Sequence, residues 1–284
     1  MHALAIDTNG AKPVPYEVVF KPLPGSQTIA LCSMAAHTLY EGARGPGKTL
    51  TQLMRFYRNV GKGYGKFWRG VIFDLEFDHL GGLVAESKKW FGDNGKLKDG
   101  GKFYESTSAY KWVWPTGEEL LFRHVKKLSD YEGFHGHEYP FIGWNELTKH
   151  PSGDLYDKFM SVNRCTFDPI KDTPKDPKTG RYLTPNGEPL PPVKCEVFST
   201  TNPSGPGHNW VKRRFITIAR ALFDAERRTA AACKVRSIQH DEPKRPRSQL
   251  GKTSLYHNCP AWHRSSSRNS DLQPGDRKRR NARN

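Results

Sequence analysis

Apolar positions recur along this chain with two distinct periods. Leu50, Leu53, Met54 and Tyr57 fall at i, i+3, i+4 and i+7, one face of a helix, so residues 48–59 are predicted helical. Gly61, Gly63 and Gly65 follow, in keeping with glycine at helix C-termini. Residues 80–91 and 155–162 repeat the helical spacing. Other short segments read as strands: residues 37–40, the buried-strand candidate 70–73, the apolar run 139–144, and residues 193–200. Residues 112–122 read as a hairpin around Pro115-Thr116-Gly117. Pro22, Pro24 and Gly25 make residues 20–27 a turn-rich approach to the first of these strands. Strands separated by helical stretches predict an α/β fold, with a mostly parallel sheet and helices on both faces.

The pattern fails in two places. Residues 169–192 hold seven prolines and are predicted to be a long loop. Beyond a helix-like stretch at 219–232, apolar periodicity is lost and Arg, Ser, Asn and Pro dominate. The expected organisation is a lead-in at 1–19, one α/β domain at 20–216, and a basic, disordered tail at 217–284. Charge sharpens that division. The chain of 284 residues carries a formal +16, yet residues 225–284 set fifteen Lys and Arg against five acids. A basic chain suggests a polyanionic partner such as nucleic acid. Most of the excess, however, sits in the tail, where a solvated segment accounts for it equally well. No apolar stretch is long enough to span a membrane, and the N-terminus has no secretory pattern. Five cysteines stand singly at 32, 165, 195, 233 and 259, so neither a disulfide framework nor a zinc cluster is expected. A reducing, cytoplasmic setting follows.

One motif carries specific chemistry. Gly42-Ala43-Arg44-Gly45-Pro46-Gly47-Lys48-Thr49 matches the phosphate-binding loop GxxxxGK[ST], between a predicted strand and an amphipathic helix. Glycines let backbone N–H groups curl around an anion, and the helix N-terminus adds positive potential. Lys48 would reach the β- and γ-phosphates of ATP, and the Thr49 hydroxyl would ligate Mg²⁺. Average residue usage yields such a match by chance in about one chain in a hundred. Arg44, inside the loop, could stabilise transition-state charge in cis.

Phosphate chemistry also needs a metal anchor and a base, normally at the carboxyl end of an apolar strand. Asn145 and Glu146 close the run 139–144. Glu146 would orient and deprotonate the attacking water. Asn145 stands where an Asp is usual; it can accept a hydrogen bond from metal-bound water but brings no charge. The acid clusters Asp74, Glu76, Asp78 and Glu118, Glu119 show no partner pattern and read as surface or turn residues. Thr200, Thr201 and Asn202 follow another strand, where small polar residues can sense the γ-phosphate. Gln27 could meet an adenine edge. His257, Cys259 and His263 lie close together without a scaffold for a metal.

Taken together, residues 24–27, 42–49, 136–148 and 201–211 resemble the large subunit of tailed-bacteriophage terminase, over about 70% of the chain from residue 20 to 216. The resemblance implies an ATPase domain of the P-loop α/β fold with an additional catalytic strand. It places Gln27 in the adenine motif, Gly42 to Thr49 in the phosphate loop, Asn145 and Glu146 in the metal-and-base pair, and Thr200, Thr201 and Asn202 in the coupling motif. A subgroup of that family reads Asn-Glu at the strand end. The implied cofactors are ATP and Mg²⁺. The implied partners are double-stranded DNA, the small terminase subunit, the portal protein of the procapsid and further copies of the chain, with no membrane. Nothing after residue 217 resembles the family's nuclease domain, so a truncated or frame-shifted end and no nuclease activity are expected. Two alternatives stay open: another P-loop DNA translocase or helicase, and a fragment that binds nucleotide or DNA without turnover.

Overall fold

The computed structural model describes residues 17–43, 45, 47–217 and 262–264. The chain divides into two compact units, Pro22–Cys259 and Met1–Lys21 with Pro260–Asn284. In the latter, β1 (Glu17–Phe20) pairs antiparallel with β9 (Trp262–Arg264). A strand at 262–264 departs from the featureless tail that the composition predicts. The helix-like stretch 219–232 and the cluster residues His257 and Cys259 lie outside the described residues.

The larger unit is built on a seven-stranded sheet. In chain order its strands are β2 (His37–Glu41), β3 (Arg69–Asp74), β4 (Lys102–Tyr104), β5 (Lys111–Val113), β6 (Glu119–His124), β7 (Phe141–Trp144) and β8 (Glu196–Thr201). Their spatial order is β2-β8-β7-β3-β6-β5-β4. The first five in that order run parallel, and the β6-β5-β4 end is antiparallel. The fold is thus a mostly parallel α/β sheet, as predicted, with the 112–122 hairpin at one end. Strand β8 inserts between β2 and β7, so every residue of β7 and β8 is buried. Strands covered on both faces tend to be continuous apolar runs, as β7 is; β8 is buried although Glu196, Ser199, Thr200 and Thr201 are polar or charged.

Helices α1 (Ser26–Cys32), α2 (Lys48–Tyr57) and α3 (Leu80–Trp90) lie on one face, and α4 (Asp154–Phe159) on the other. Side chains alternate between the faces. A Cβ on Gly70 would strike the Phe56 ring of α2, and one on Gly143 would meet Ile72 and Gln52. The intervening residues Val71, Phe73, Ile142 and Trp144 form the opposite core with Leu155, Tyr156 and Phe159 of α4. Within 169–192, α5 (Pro169–Asp172) is capped by the Asp168 carboxylate, which accepts from the Ile170 and Lys171 N–H groups; residues 173–192 are mostly irregular. A short π turn, Lys212–Thr217, follows α6 (His208–Val211). Helix α1 is absent from the hydrophobic pattern because it has only seven residues and one of the three on its buried face is a glutamine. It buries Gln27, Ala30 and Leu31, while Ile29 faces solvent.

A buried ion pair ties the layers together. Arg55 of α2 donates from Nε and Nη2 to Glu196 Oε2 of β8 at 2.9 and 2.6 Å, and Arg58 adds a third donor at 2.9 Å. Arg55 also donates to the Ser33 carbonyl at the end of α1. Cys165 and Cys195 are free thiols, whereas Cys32 is disulfide-bonded, which its isolated spacing does not foretell. Among the described residues no helix is long and apolar enough to cross a membrane.

Candidate functional site

The carboxyl ends of β2, β8, β7 and β3 converge on one cleft of about 680 Å³, lined in part by Gly45, Gly47, Lys48, Thr49, Asn145, Glu146, Lys149 and Asn202. The glycine loop joins β2 to α2. Gly47 sits at φ 73° and ψ 24°, the left-handed region that glycine enters without a Cβ penalty. Gly45 has φ 102°. Arg44 and Pro46 lie outside the described residues. Lys48 is buried, and its Nζ makes three hydrogen bonds: to the Gly42 and Ala43 carbonyls at 2.8 Å each and to Asn202 Oδ1 at 3.0 Å. The loop lysine is therefore joined to the end of β8.

Gln27 lies behind the loop. Its Oε1 accepts from the Leu23 N–H at 2.6 Å, and its Nε2 donates to Thr51 Oγ1 at 3.0 Å. A Cβ on Gly47 would fall 2.7 Å from that Nε2, so the amide and the glycine need each other. With both ends engaged and 3% exposure, Gln27 braces the loop in this geometry. Gln52, on the next turn of α2, donates to the Trp144 and Phe198 carbonyls at 3.1 and 2.8 Å. It fastens the loop helix to β7 and β8 together.

The strand-end pair is held residue by residue by the polar end of β8. Thr200 Oγ1 donates to Asn145 Oδ1 at 3.3 Å. The Asn202 N–H donates to Glu146 Oε2 at 3.2 Å. Thr201 Oγ1 accepts from the Thr148 N–H at 3.1 Å and lies 2.7 Å from Thr148 Oγ1. Glu146 itself has φ 53° and ψ 54°, costly for a side chain with a Cβ and found where surrounding structure enforces it. The segment after β8 packs back on this turn. The Gly207 N–H donates to the Thr148 carbonyl at 2.8 Å, and Trp210 Nε1 donates to the His150 carbonyl at 2.8 Å. His150 is buried beside Trp144 with both ring nitrogens unpartnered, and desolvation pushes it down to about 4.

Two acid clusters need correction. Asp74 ends β3, is 0% exposed, and accepts from Asn145 Nδ2 at 2.6 Å and Lys149 Nζ at 3.2 Å. It is a buried member of the site and not a surface residue. Glu118 is also buried, where it accepts from the Gly61 N–H at 3.0 Å, and Glu119 is paired to Arg69 and Lys111. Asp78 is exposed as expected. Asp74 was findable, because it closes an apolar strand just as Asn145 and Glu146 do. Thr148, Lys149 and Gln52 carry no comparable signal.

Three residues lining the cleft carry oxygens that suit a hard cation bound with a nucleotide: the Thr49 hydroxyl, the Asn145 amide and the Glu146 carboxylate. Among the described residues no three His, Cys, Asp or Glu gather as a ligand set, so such an ion would rely on these groups, water and phosphate oxygens.

No protein-family model matches the sequence, and no curated protein matches it. Solved structures similar to the chain include the following three. The large terminase of a thermophilic bacteriophage is 13% identical, covering 69% of this chain and 43% of that chain, with a TM-score of 0.46. The HK97 bacteriophage large terminase is 14% identical over 66% of this chain and 34% of that chain, with a TM-score of 0.39. The Thermus phage P74-26 large terminase ATPase domain is 13% identical over 72% of this chain and 90% of that chain, with a TM-score of 0.36. The chain thus spans less than half the length of the first two proteins.

Proposed function

We propose that the chain is an ATP hydrolase, the ATPase domain of a phage terminase large subunit, which drives double-stranded DNA into procapsids. The observation that carries the reading is the convergence of Lys48, Asn202 and Glu146, linked in series by hydrogen bonds across the mouth of one cleft. Lys48 and the loop N–H groups would hold the phosphates. Thr49 and Asn145 would hold Mg²⁺, which when bound neutralises charge on the transferred phosphoryl group. Glu146 would orient the attacking water and accept its proton. Asn202, bonded to both Lys48 and Glu146, and Thr200 and Thr201, bonded to the segment after β7, would relay phosphate loss to the rest of the domain. Gln27 would act as the brace of the loop, and Arg44 as a cation over the γ-phosphate. The small terminase subunit, the portal protein and further copies of the chain are the proposed partners.

The test is phosphate release from Mg²⁺-ATP with and without duplex DNA. Lys48→Ala should abolish turnover in a chain that melts normally. Glu146→Gln preserves the acceptor for the Asn202 N–H, so it should keep nucleotide binding and lose about a hundredfold or more in turnover. Undiminished hydrolysis by Lys48→Ala would sink the assignment of the loop. Tight nucleotide binding with no turnover, even with DNA, would favour a binding fragment, and strand separation of naked duplex would favour a helicase.

A further inference from the structure

We propose that Asp74 is a positioning carboxylate for the cation of this cleft. It supplies negative charge behind Asn145 and turns the Asn145 amide oxygen toward the phosphate loop. The proposal rests on the nucleotide-site reading above and adds a residue to it.

The usual Asp at this strand end is replaced by an amide, which leaves the pair one charge short. Asp74 stands beside it on the neighbouring strand, since β3 and β7 pair with Phe73 opposite Trp144. Its Oδ2 lies 2.6 Å from Asn145 Nδ2 and its Oδ1 accepts from the Leu75 N–H at 2.7 Å. An ionised carboxylate can only accept hydrogen bonds, so it forces the Asn145 –NH₂ to face β3. The amide oxygen then points the other way. The strand order puts β8, β2 and the phosphate loop on that side. Thr200 Oγ1, 3.3 Å from Asn145 Oδ1, marks the same direction. A hydrated cation there meets an acceptor and not two N–H donors.

Lys149 and His79 complete the cluster. Lys149 Nζ and His79 Nδ1 each lie 3.2 Å from Asp74 Oδ1, and both side chains line the cleft. They are 34% and 45% exposed, so water screens them more than it screens the buried bond to Asn145. A carboxylate that merely satisfied the strand end would need no particular partner on β7. One that acts through Asn145 makes the pair exchangeable. With the amide moved to β3 and the carboxylate to β7, the same bond forms with donor and acceptor reversed.

The experiment titrates a fluorescent ATP analogue into the full chain, with EDTA and with Mg²⁺. Asp74→Asn should keep the metal-free affinity and lose about tenfold or more of the tightening that Mg²⁺ brings. The double variant Asp74→Asn with Asn145→Asp should regain that tightening to within about threefold of wild type. Wild-type tightening in Asp74→Asn, or a double variant no better than the single one, overturns the proposal. Should Asp74→Asn alone fail to fold, the double variant decides: tightening supports the proposal and its absence overturns it. A wild-type chain that binds no nucleotide, or binds it equally well with Lys48→Ala, overturns the reading of the cleft and this proposal with it. A wild type that responds to Mg²⁺ beside an Asp74→Asn that responds equally overturns the role of Asp74 alone.

Discussion

Thr201→Val isolates the joint between the strand-end acid and the polar end of β8. Valine keeps the shape of threonine and removes one hydroxyl. Thr201 and Thr148 are both buried, so no water replaces the lost group. The Thr201 hydroxyl accepts from the Thr148 N–H at 3.1 Å and shares a 2.7 Å contact with Thr148 Oγ1. Thr148 Oγ1 keeps its bond to the Ser204 carbonyl at 2.7 Å, and the Asn202 carbonyl loses the Thr201 donor at 3.1 Å but keeps Thr148 Oγ1 at 3.4 Å, so the N–H is the group left without a partner. An unsatisfied buried donor costs about 1–3 kcal/mol, which sets the expected loss at about 2 kcal/mol. For a domain of this size that is about 4–8 °C in Tm. The functional effect should be separate and larger. Thr148 lies two residues after Glu146, and Asn202, next to Thr201, donates to the Glu146 carboxylate. Loosening the joint should therefore lower kcat about tenfold or more while leaving KM for ATP near wild type. Thr201→Ser keeps the hydroxyl and should restore both Tm and kcat. The assay is a thermal melt alongside steady-state phosphate release at several ATP concentrations. A valine variant with wild-type Tm and kcat refutes the reasoning, as does a serine variant no better than valine.

Three further outcomes follow from the packing. Gly143→Ala would place a Cβ 2.7 Å from Ile72 Cγ1 and 3.1 Å from Gln52 Nε2, so a loss of about 1–3 kcal/mol is expected in urea unfolding. A neutral alanine variant would show that α2 can shift off the sheet. Glu196→Gln strips the buried charge that Arg55 and Arg58 share, with an expected cost of about 3–5 kcal/mol, whereas replacing Arg55 and Glu196 together by Met should cost much less. Desolvation holds His150 neutral with a folded value of about 4 against an ordinary 6.5, with Asp74 raising it and Lys149 lowering it. Its unfolded form takes up the proton first as pH falls, so its contribution to stability is full above 6.5 and lost toward 4; at pH 5 the loss is about 2 kcal/mol relative to pH 7.5. Comparing urea midpoints of wild type and His150→Phe at the two pH values checks this, and equal acid sensitivity in both would contradict it.

The fold was legible where burial is one-sided or complete. Leu53 and Met54 of α2 are fully buried, in line with the spacing of Leu50, Leu53, Met54 and Tyr57 that predicts the helix, but Thr51, Gln52, Arg55 and Phe56 are buried too, so the helix is covered well beyond its apolar stripe. Strand β7 is covered on both faces and its unbroken apolar run stood out, whereas β8 is covered equally but carries Glu196, Ser199, Thr200 and Thr201. Helix α1 was not legible. It is short, follows Gly25 at φ 93°, and its buried face is only Gln27, Ala30 and Leu31, one of them polar. Strand β4 has only three residues and none fully buried, so no two-residue alternation could develop. Chain order also says nothing of spatial order: that the polar strand β8 lies between the loop strand and the acid strand emerges only on folding.

That insertion explains which parts of the candidate site could be read in advance. The glycine loop is local, since Gly42 to Thr49 form one continuous segment whose motif can be read from sequence alone. The strand-end acids are not local. Asp74 and Asn145 are 71 positions apart, and only the β3–β7 pairing brings a buried carboxylate within 2.6 Å of the amide. Judged from sequence neighbours alone, Asp74 looked like one of three acids in a polar turn with Glu76 and Asp78. Judged from the sheet, it is the only one of the three that is buried. A buried carboxylate costs several kcal/mol unless hydrogen-bonded, and here the Leu75 N–H, Lys149 and Asn145 satisfy it. The apparent weakness of the motif, an amide in the place of an acid, is thus answered one strand away. The charge has moved along the sheet edge, and the amide connects it to the cleft.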